Sequence, residues 1–417
     1  MPALAPPKLR QNAWLILGLC VIGVMCCSTS VMLVNVSLFI KPLSESHGWS
    51  RGAVVLALSV ASFAQAIVNP FIGRAIDRFG VKIMLIASLT GYAAATASLP
   101  FLIDRLGLAG LYVGYALVAM LGAGSNIIAY VRVLSGWFSG PMNQHRGLAL
   151  GVAAAGVTLG MAVSAPVAVE LIHRAGWHGA YYGLTVFPLL VGLPIAVFGM
   201  RMAPDDTADG LDKDSTREPS AGLTLGEAAR TRAFWLMLGI ALLMSSNLQG
   251  VMVHMPALVS DLGLPADGLA VLVGATGILG IFGKVFAGFL FDRFFAPYVS
   301  VWIFGIAVVG SFAMAAFDNL IVAVVVTLLQ VVGAGAEIDL ISYVAGRYFG
   351  IKAYAQIFGC IYSVYMVGIA LGPFLVGLSF DHWGGYQIAF LISGAGLCAA
   401  CLLLLLLPRY PSAFTNI

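Results

Sequence analysis

Four charged side chains stand where a chain this apolar has no ordinary place for charge. Glu337 and Asp339 lie between two uncharged runs, 320–335 before them and 353–380 after them. Arg132 and Lys284 are the only basic residues deep inside comparable apolar runs. A charge at the centre of a membrane-spanning helix costs about 2.5–3.5 kcal/mol on insertion scales, so such groups face a bundle interior or a water-filled cavity and mark a pathway for ions or protons. Desolvated acids keep protons more readily than exposed ones. Arginine is a planar fork suited to bidentate carboxylate binding, and lysine is a compact point charge. Together these types predict an anion held by Arg132 and Lys284 and a proton carried by Asp339 or Glu337. Glu337 and Asp339 are two residues apart, about 200° around a helix, and cannot share a face. His254 can relay a proton or be an ordinary packed, hydrogen-bonded histidine. Tyr130, Tyr343 and Tyr365, with Asn35, Gln65, Asn69, Asn247, Gln249 and Tyr362, are polar groups available to line a cavity or to join helices.

The elements that must position these groups follow from composition. The chain has 417 residues, 60% apolar and 9% charged, with mean hydropathy +0.98. Soluble domains carry about 25% charged residues, so a water-soluble globule is excluded. A net charge of +3 gives no footprint for nucleic acid. Apolar runs long enough to span a bilayer fall at 12–40, 52–73, 81–103, 109–138, 146–172, 179–201, 233–260, 267–291, 297–317, 320–346, 353–380 and 385–407. The expected fold is an all-α polytopic membrane protein of twelve helices in two groups of six, divided as residues 1–202, a linker at 203–232, and residues 233–417. The first run exceeds the 7–15 residues of a signal-peptide core and reads as a retained first helix. With the N-terminus inside, most Lys and Arg fall in inner loops, leaving Lys41, Arg51, Arg105 and Arg174 outside. The positive-inside rule therefore predicts a multi-pass plasma (inner) membrane protein with both termini cytoplasmic. Within 203–232, the first part reads as a flexible tether, and Thr224 with Glu227 has the spacing of a capping box. The six cysteines fall inside apolar runs and read as buried thiols, not metal ligands. No His-Glu-x-x-His, nucleotide-binding P-loop or dinucleotide fingerprint occurs, so neither an enzyme, a cofactor nor a self-contained ATP-driven pump is expected.

The chain also repeats itself. Gly122, Gly124 and Phe138 match Gly333, Gly335 and Phe349 at an offset of 211, which aligns Arg132 with Tyr343, Ile128 with Asp339 and Asn126 with Glu337. Gly73, Asp77 and Arg78 match Gly288, Asp292 and Arg293 at an offset of 215. Parallel repeats related by an axis along the membrane normal place a substrate site between two halves. In each Gly-x-x-x-Asp-Arg segment, glycine permits close helix approach, and the Asp and Arg can pair with each other or with a neighbouring helix end. The segments thus read as a latch that holds the halves in one state; as single copies they would be ordinary charged turns. By the same symmetry, Asp339 and Tyr343 are expected to confront Arg132 across the cavity, with Glu337 on a second face.

Gly73-x-x-x-Asp77-Arg78-x-Gly80 resembles the loop motif of the major facilitator superfamily. Lys41 and the segment Gly48-Trp49-Ser50-Arg51, with Trp137-Phe138 and the run from Arg146 to Gly156, are similar to the monocarboxylate and oxalate/formate transporter branch. The resemblance implies alternating access around a central site. It also implies that Lys41 handles substrate or proton and that Lys284 takes the place of a carboxylate-binding arginine. The chain departs from that branch at Gly280, where an aspartate is expected, and at Tyr365, where the oxalate transporter has a lysine. The carboxylates have in effect moved to the tenth helix. The expected function is secondary active transport of a small organic anion, a monocarboxylate or short dicarboxylate, by proton-coupled symport, through a monomer in the lipid bilayer. Anion exchange, export, and drug or siderophore transport are the alternatives on the same fold; a non-transporting receptor is the alternative of another class.

Overall fold

The computed structural model describes residues 7–33, 35–200, 222–317 and 319–411. The tether part of the expected linker, 203–221, lies outside the described residues. Helices follow in chain order: α1 Pro7–Met25, α2 Val36–His47, α3 Arg51–Phe79, α4 Val81–Leu106, α5 Leu108–Gly122, α6 Ile127–Trp137 and α7 Arg146–Leu184. After a four-residue α8, Leu225–Ala228, come α9 Arg232–Asp261, α10 Ala266–Phe291, α11 Ala296–Ala316, α12 Leu320–Phe349, α13 Tyr354–Trp383 and α14 Gln387–Leu405. No β-strand occurs among the described residues.

Among the described residues these elements make twelve crossings. The first is α1 and α2 joined through a π-helical turn, Thr29–Leu33, and the fourth is α5 and α6 joined through a 3-10 turn, Ala123–Ser125. The fifth and sixth are one helical run that breaks at Gly176, whose φ of 65° is left-handed and open to glycine without strain. That break falls in the gap between the expected runs 146–172 and 179–201. Helix α12 has 30 residues, about 45 Å at 1.5 Å each, so it must tilt or protrude from a ~30 Å core.

Side chains cap several helix starts. Ser50 accepts from the Ala53 amide at 3.2 Å, Thr231 from Phe234 at 3.3 Å, and Asn319 from Ile321 at 2.8 Å. The Thr224–Glu227 capping box forms: the Thr224 amide donates to Glu227 at 2.7 Å and the Glu227 amide to the Thr224 hydroxyl at 3.4 Å. The hydrogen bonds from Thr224 hold the Glu227 carboxyl below its ordinary range. Cys20, Cys26 and Cys27 are buried thiols as expected, but Cys360, Cys398 and Cys401 are only half-buried.

Between the two bundles, α3 packs along α13 and α7 along α10. These are equivalent contacts in the repeat, with the roles of the halves exchanged. Small residues permit them. A Cβ at Gly73 would collide with the Ala355 carbonyl, and one at Gly288 with the Gly147 carbonyl. Without a hydrophobic drive between helices in lipid, such backbone approaches carry the packing.

Candidate functional site

Glu337 and Asp339 are both buried, at 0% and 1% exposure. As the helical period requires, they look in different directions. Glu337 faces α9 and α13: the Tyr365 hydroxyl donates to its Oε2 at 2.8 Å, and Gln249 of α9 lies near the same carboxyl. Asp339 faces α7 and α10, where a Cβ at Gly151 would stand 3.4 Å from its Oδ2 and would collide with the Lys284 carbonyl. Gly335, one turn before Asp339, sets this depth, because its Cα lies against the backbone of Gly280 and Lys284.

Lys284 is half-buried and within electrostatic reach of both carboxylates. Among the described residues it closes no ion pair within 4.0 Å. One oxygen of each acid, Glu337 Oε1 and Asp339 Oδ2, is buried with no hydrogen-bond partner. Leaving a buried acceptor unmade costs about 1–3 kcal/mol, more for a charged group. Lys284 thus keeps free bonding capacity beside two acids that each have one oxygen without a donor. That arrangement can accept an anion on the lysine and a proton on an acid.

The second cluster lies toward the end that carries most of the basic loops. The Asp77 carboxylate of α3 accepts from the Ala355 and Gln356 amides at 3.3 and 2.8 Å. The Asp292 carboxylate that ends α10 accepts from the Gly147 and Leu148 amides at 2.6 and 2.9 Å. Each acid therefore caps the first turn of a helix from the opposite bundle, α13 or α7. Those turns have free N–H donors and positive partial charge. The contacts join the two bundles at this end.

The sequence pattern of the Major Facilitator Superfamily matches residues 20–338. The chain belongs to that superfamily. Its fold also matches a solved major facilitator structure, the Escherichia coli fucose:proton symporter FucP (N162A), with a TM-score of 0.70 at 15% identity over 94% of this chain and 98% of that one. Monocarboxylate transporter 4 of Rattus norvegicus is 24% identical over 89% of this chain and 78% of its own length. The gentisate transporter of Corynebacterium glutamicum is 25% identical over 88% and 82%. The protein is a major facilitator transporter, and the two acids of its repeated motif make equivalent contacts with the opposite bundle.

Several expected partners are rearranged within this superfamily frame. Arg132 stands beside Asp77, Nε to Oδ1 3.7 Å, whereas the cation facing Asp339 is Lys284. Tyr343 accepts from Arg347 at 2.9 Å and sits near Asp292. Arg132 and Tyr343 are thus equivalent by the repeat, as expected, but each belongs to its own latch instead of meeting across the cavity. The reason is depth. Both lie four residues past the Ile128/Asp339 level, about 6 Å nearer the closed end at 1.5 Å per residue.

The basic residues of the latch motif do not pair with their neighbouring acids. Consecutive side chains diverge by about 100° around a helix. Arg78 and Arg293 are exposed and lie over Phe79 and Phe289, at 5.2 and 4.0 Å from the ring centroids. Lys41 is also apart from the central cluster: its side chain is 75% exposed and pairs with Glu45 one turn on, at 3.8 Å. Tyr130 packs its ring against Gly23 of α1. His254 donates from Nε2 to the Pro373 carbonyl at 3.0 Å, the packed arrangement. Asn247 lies against Gly396 of α14. Asn126, the counterpart of Glu337, uses its amide oxygen to accept from Ser28 and Thr29 where the first crossing breaks.

Arg146, noted in the sequence only as the start of the run to Gly156, has a place that sequence reasoning did not foresee. It is fully buried, donates to Ser135 at 3.2 Å, and fills the space that Gly346 leaves open. One signal was available. An arginine opening α7 opposes the helix dipole and needs an acid nearby, and Asp292 supplies it.

Gly73→Leu tests the latch. The side chain must push Ala355 away, so α3 and α13 separate. Transport per mole of folded, membrane-inserted protein is expected to fall at least about tenfold, the effect of about 1.4 kcal/mol. Wild-type uptake in proteoliposomes from this variant would rule out the close approach as a working part.

Proposed function

We propose that the protein moves a small organic anion, a monocarboxylate or short dicarboxylate, together with a proton by alternating access between the two bundles. The observation that carries this reading is Lys284: half-buried, without an ion pair among the described residues, and faced by two buried carboxylates. A substrate carboxylate binding Lys284 takes the positive charge away from Asp339. The desolvated aspartate then keeps a proton, so anion and proton load together and the net charge in the site stays constant. Release at the other side reverses both events. Residues 1–202 and 233–417 are the rocking halves and 203–232 their tether, with both termini cytoplasmic in the plasma membrane and the monomer as the working unit. In this reading the Asp77 and Asp292 caps hold the cytoplasmic end shut in the outward-facing state of the cycle. The names of the monocarboxylate and gentisate transporter relatives support a carboxylate substrate.

Purified protein in liposomes with an imposed pH gradient, inside alkaline, tests the reading. Radiolabelled lactate, pyruvate, oxalate, formate and aromatic acids are offered in turn. At least one should accumulate above equilibrium, and collapsing the pH gradient should abolish the accumulation. Movement only against a preloaded counter-anion, indifferent to the pH gradient, would make the protein an exchanger. If no carboxylate moves, the organic-anion reading is wrong.

A further inference from the structure

The charged pocket has a neutral counterpart in the other bundle. The offset of 215 that aligns Gly73 with Gly288 also aligns Asn69 with Lys284 and Gln65 with Gly280. Backbone packing keeps the equivalence. A Cβ at Gly359 of α13 would collide with the Asn69 carbonyl, as one at Gly151 of α7 would with the Lys284 carbonyl. With Asn126 in the place of Glu337 and Ile128 in the place of Asp339, none of these four counterparts carries a charge.

Gln65 and Asn69 are one turn apart on one face of α3 and fully buried. Neither the oxygen nor the nitrogen of either side-chain amide has a hydrogen-bond partner among the described residues. Asn126 adds a third such group. Its oxygen accepts from Ser28 and Thr29, while its nitrogen is buried without an acceptor. Unmade buried amides are costly and few in native proteins. Each amide oxygen needs a donor and each amide nitrogen an acceptor. An ionised carboxylate only accepts, and would leave the Gln65 and Asn69 oxygens bare. A hydroxyl both donates and accepts, and serves either amide.

We propose that Gln65 and Asn69 form the neutral half of the substrate site and hold a hydroxyl of the anion whose carboxylate sits on Lys284. The cargo is then a hydroxylated monocarboxylate, and a dicarboxylate is disfavoured. This rests on the organic-anion reading and narrows it. Helices α3 and α13 belong to opposite bundles, so alternating access shifts one against the other. The hydroxyl reaches the two amides as that seam loosens.

Equilibrium binding to the purified full chain in lipid nanodiscs tests this with two sets of acids. Within each set one substituent changes from hydrogen to hydroxyl to carboxylate. The sets are propanoate, 3-hydroxypropanoate and succinate, and benzoate, 3-hydroxybenzoate and isophthalate. In at least one set the hydroxy acid should bind at least about tenfold tighter than both others, well within what a site built around a hydroxyl achieves. Gln65→Met combined with Asn69→Leu replaces both amides by apolar groups of similar size. The preference should then fall to about one, and thermal stability should equal or exceed the parent's, because the unmade amides are gone. Binding with no hydroxyl preference, or a preference that survives the double variant, overturns the proposal and leaves the organic-anion reading standing. A double variant less stable than the parent also overturns it, since the amides would then serve the fold. If none of the six acids binds, the organic-anion reading fails and this inference with it.

Discussion

Lys284→Ala is expected to lower substrate uptake by about a hundredfold or more while leaving the protein folded in the membrane. Removing one partner of a buried charge pair costs about 3–5 kcal/mol, and in the proposed cycle that loss falls on the anion-bound state, which has no other described cation at this depth. Glu337 and Asp339 lose their nearest positive charge at the same time and stay protonated through the cycle. Lys284→Arg separates charge from shape. It keeps the cation but replaces a point charge by a planar fork, so a bound anion should survive with altered selectivity among carboxylates of different size. The measurements are equilibrium binding and initial uptake rates in proteoliposomes, with yield and thermal stability of the purified variants as the control for folding. Wild-type uptake by Lys284→Ala would remove the lysine from the site and the organic-anion reading with it.

The second large effect is expected at Asp339. Asp339→Asn keeps the side chain's size and removes its proton. Uptake driven by an inward proton gradient should be lost, while exchange of labelled for unlabelled substrate at equal pH should persist. In the parent, uptake rises as outside pH falls, because the acid must be protonated for the loaded carrier to return. In Asp339→Asn that dependence should flatten. Glu337→Gln is expected to do less to the pH profile, because Glu337 is tied to Tyr365 at 2.8 Å, an anchored arrangement on a different face of α12 from Asp339. Equal or reversed effects of the two variants would move the proton to Glu337. The pair of pH profiles distinguishes coupling from a general loss of stability, which would lower uptake at every pH alike.

The division of Glu337 and Asp339 between two faces was legible in the sequence, because two residues along a helix subtend about 200° whatever surrounds them. The twelve crossings were legible for a similar reason. Bilayer thickness fixes the length of an apolar run, and a sheet edge or open loop has no place in hydrocarbon. The Gly176 break, the Thr224–Glu227 capping box and the equivalence of Asp77 with Asp292 follow from local chemistry and from the repeat. Partners across the bundles did not follow. The repeat pairs Arg132 with Tyr343 but says nothing about which groups from other helices arrive beside them. Arg132 found Asp77 and Tyr343 found Arg347, at a depth nearer the closed end than Asp339. Arg78 and Arg293, adjacent in sequence to the latch acids, turned outward, since neighbours on a helix face different ways.

By itself, then, the sequence determined the class of the chain, the number of its crossings, its internal repeat, and the positions where charge enters the membrane. Composition and period act within a single helix and need no knowledge of its neighbours. Tertiary structure alone decided that Lys284 is the cation shared by the two buried acids, that Arg146 is enclosed between the bundles, and that each latch acid caps a helix of the opposite bundle. Those choices depend on which helices approach within hydrogen-bond distance. The approach is set by glycine contacts between α3 and α13 and between α7 and α10, where Gly73 meets Ala355, 282 positions on, and Gly147 meets Gly288, 141 positions on.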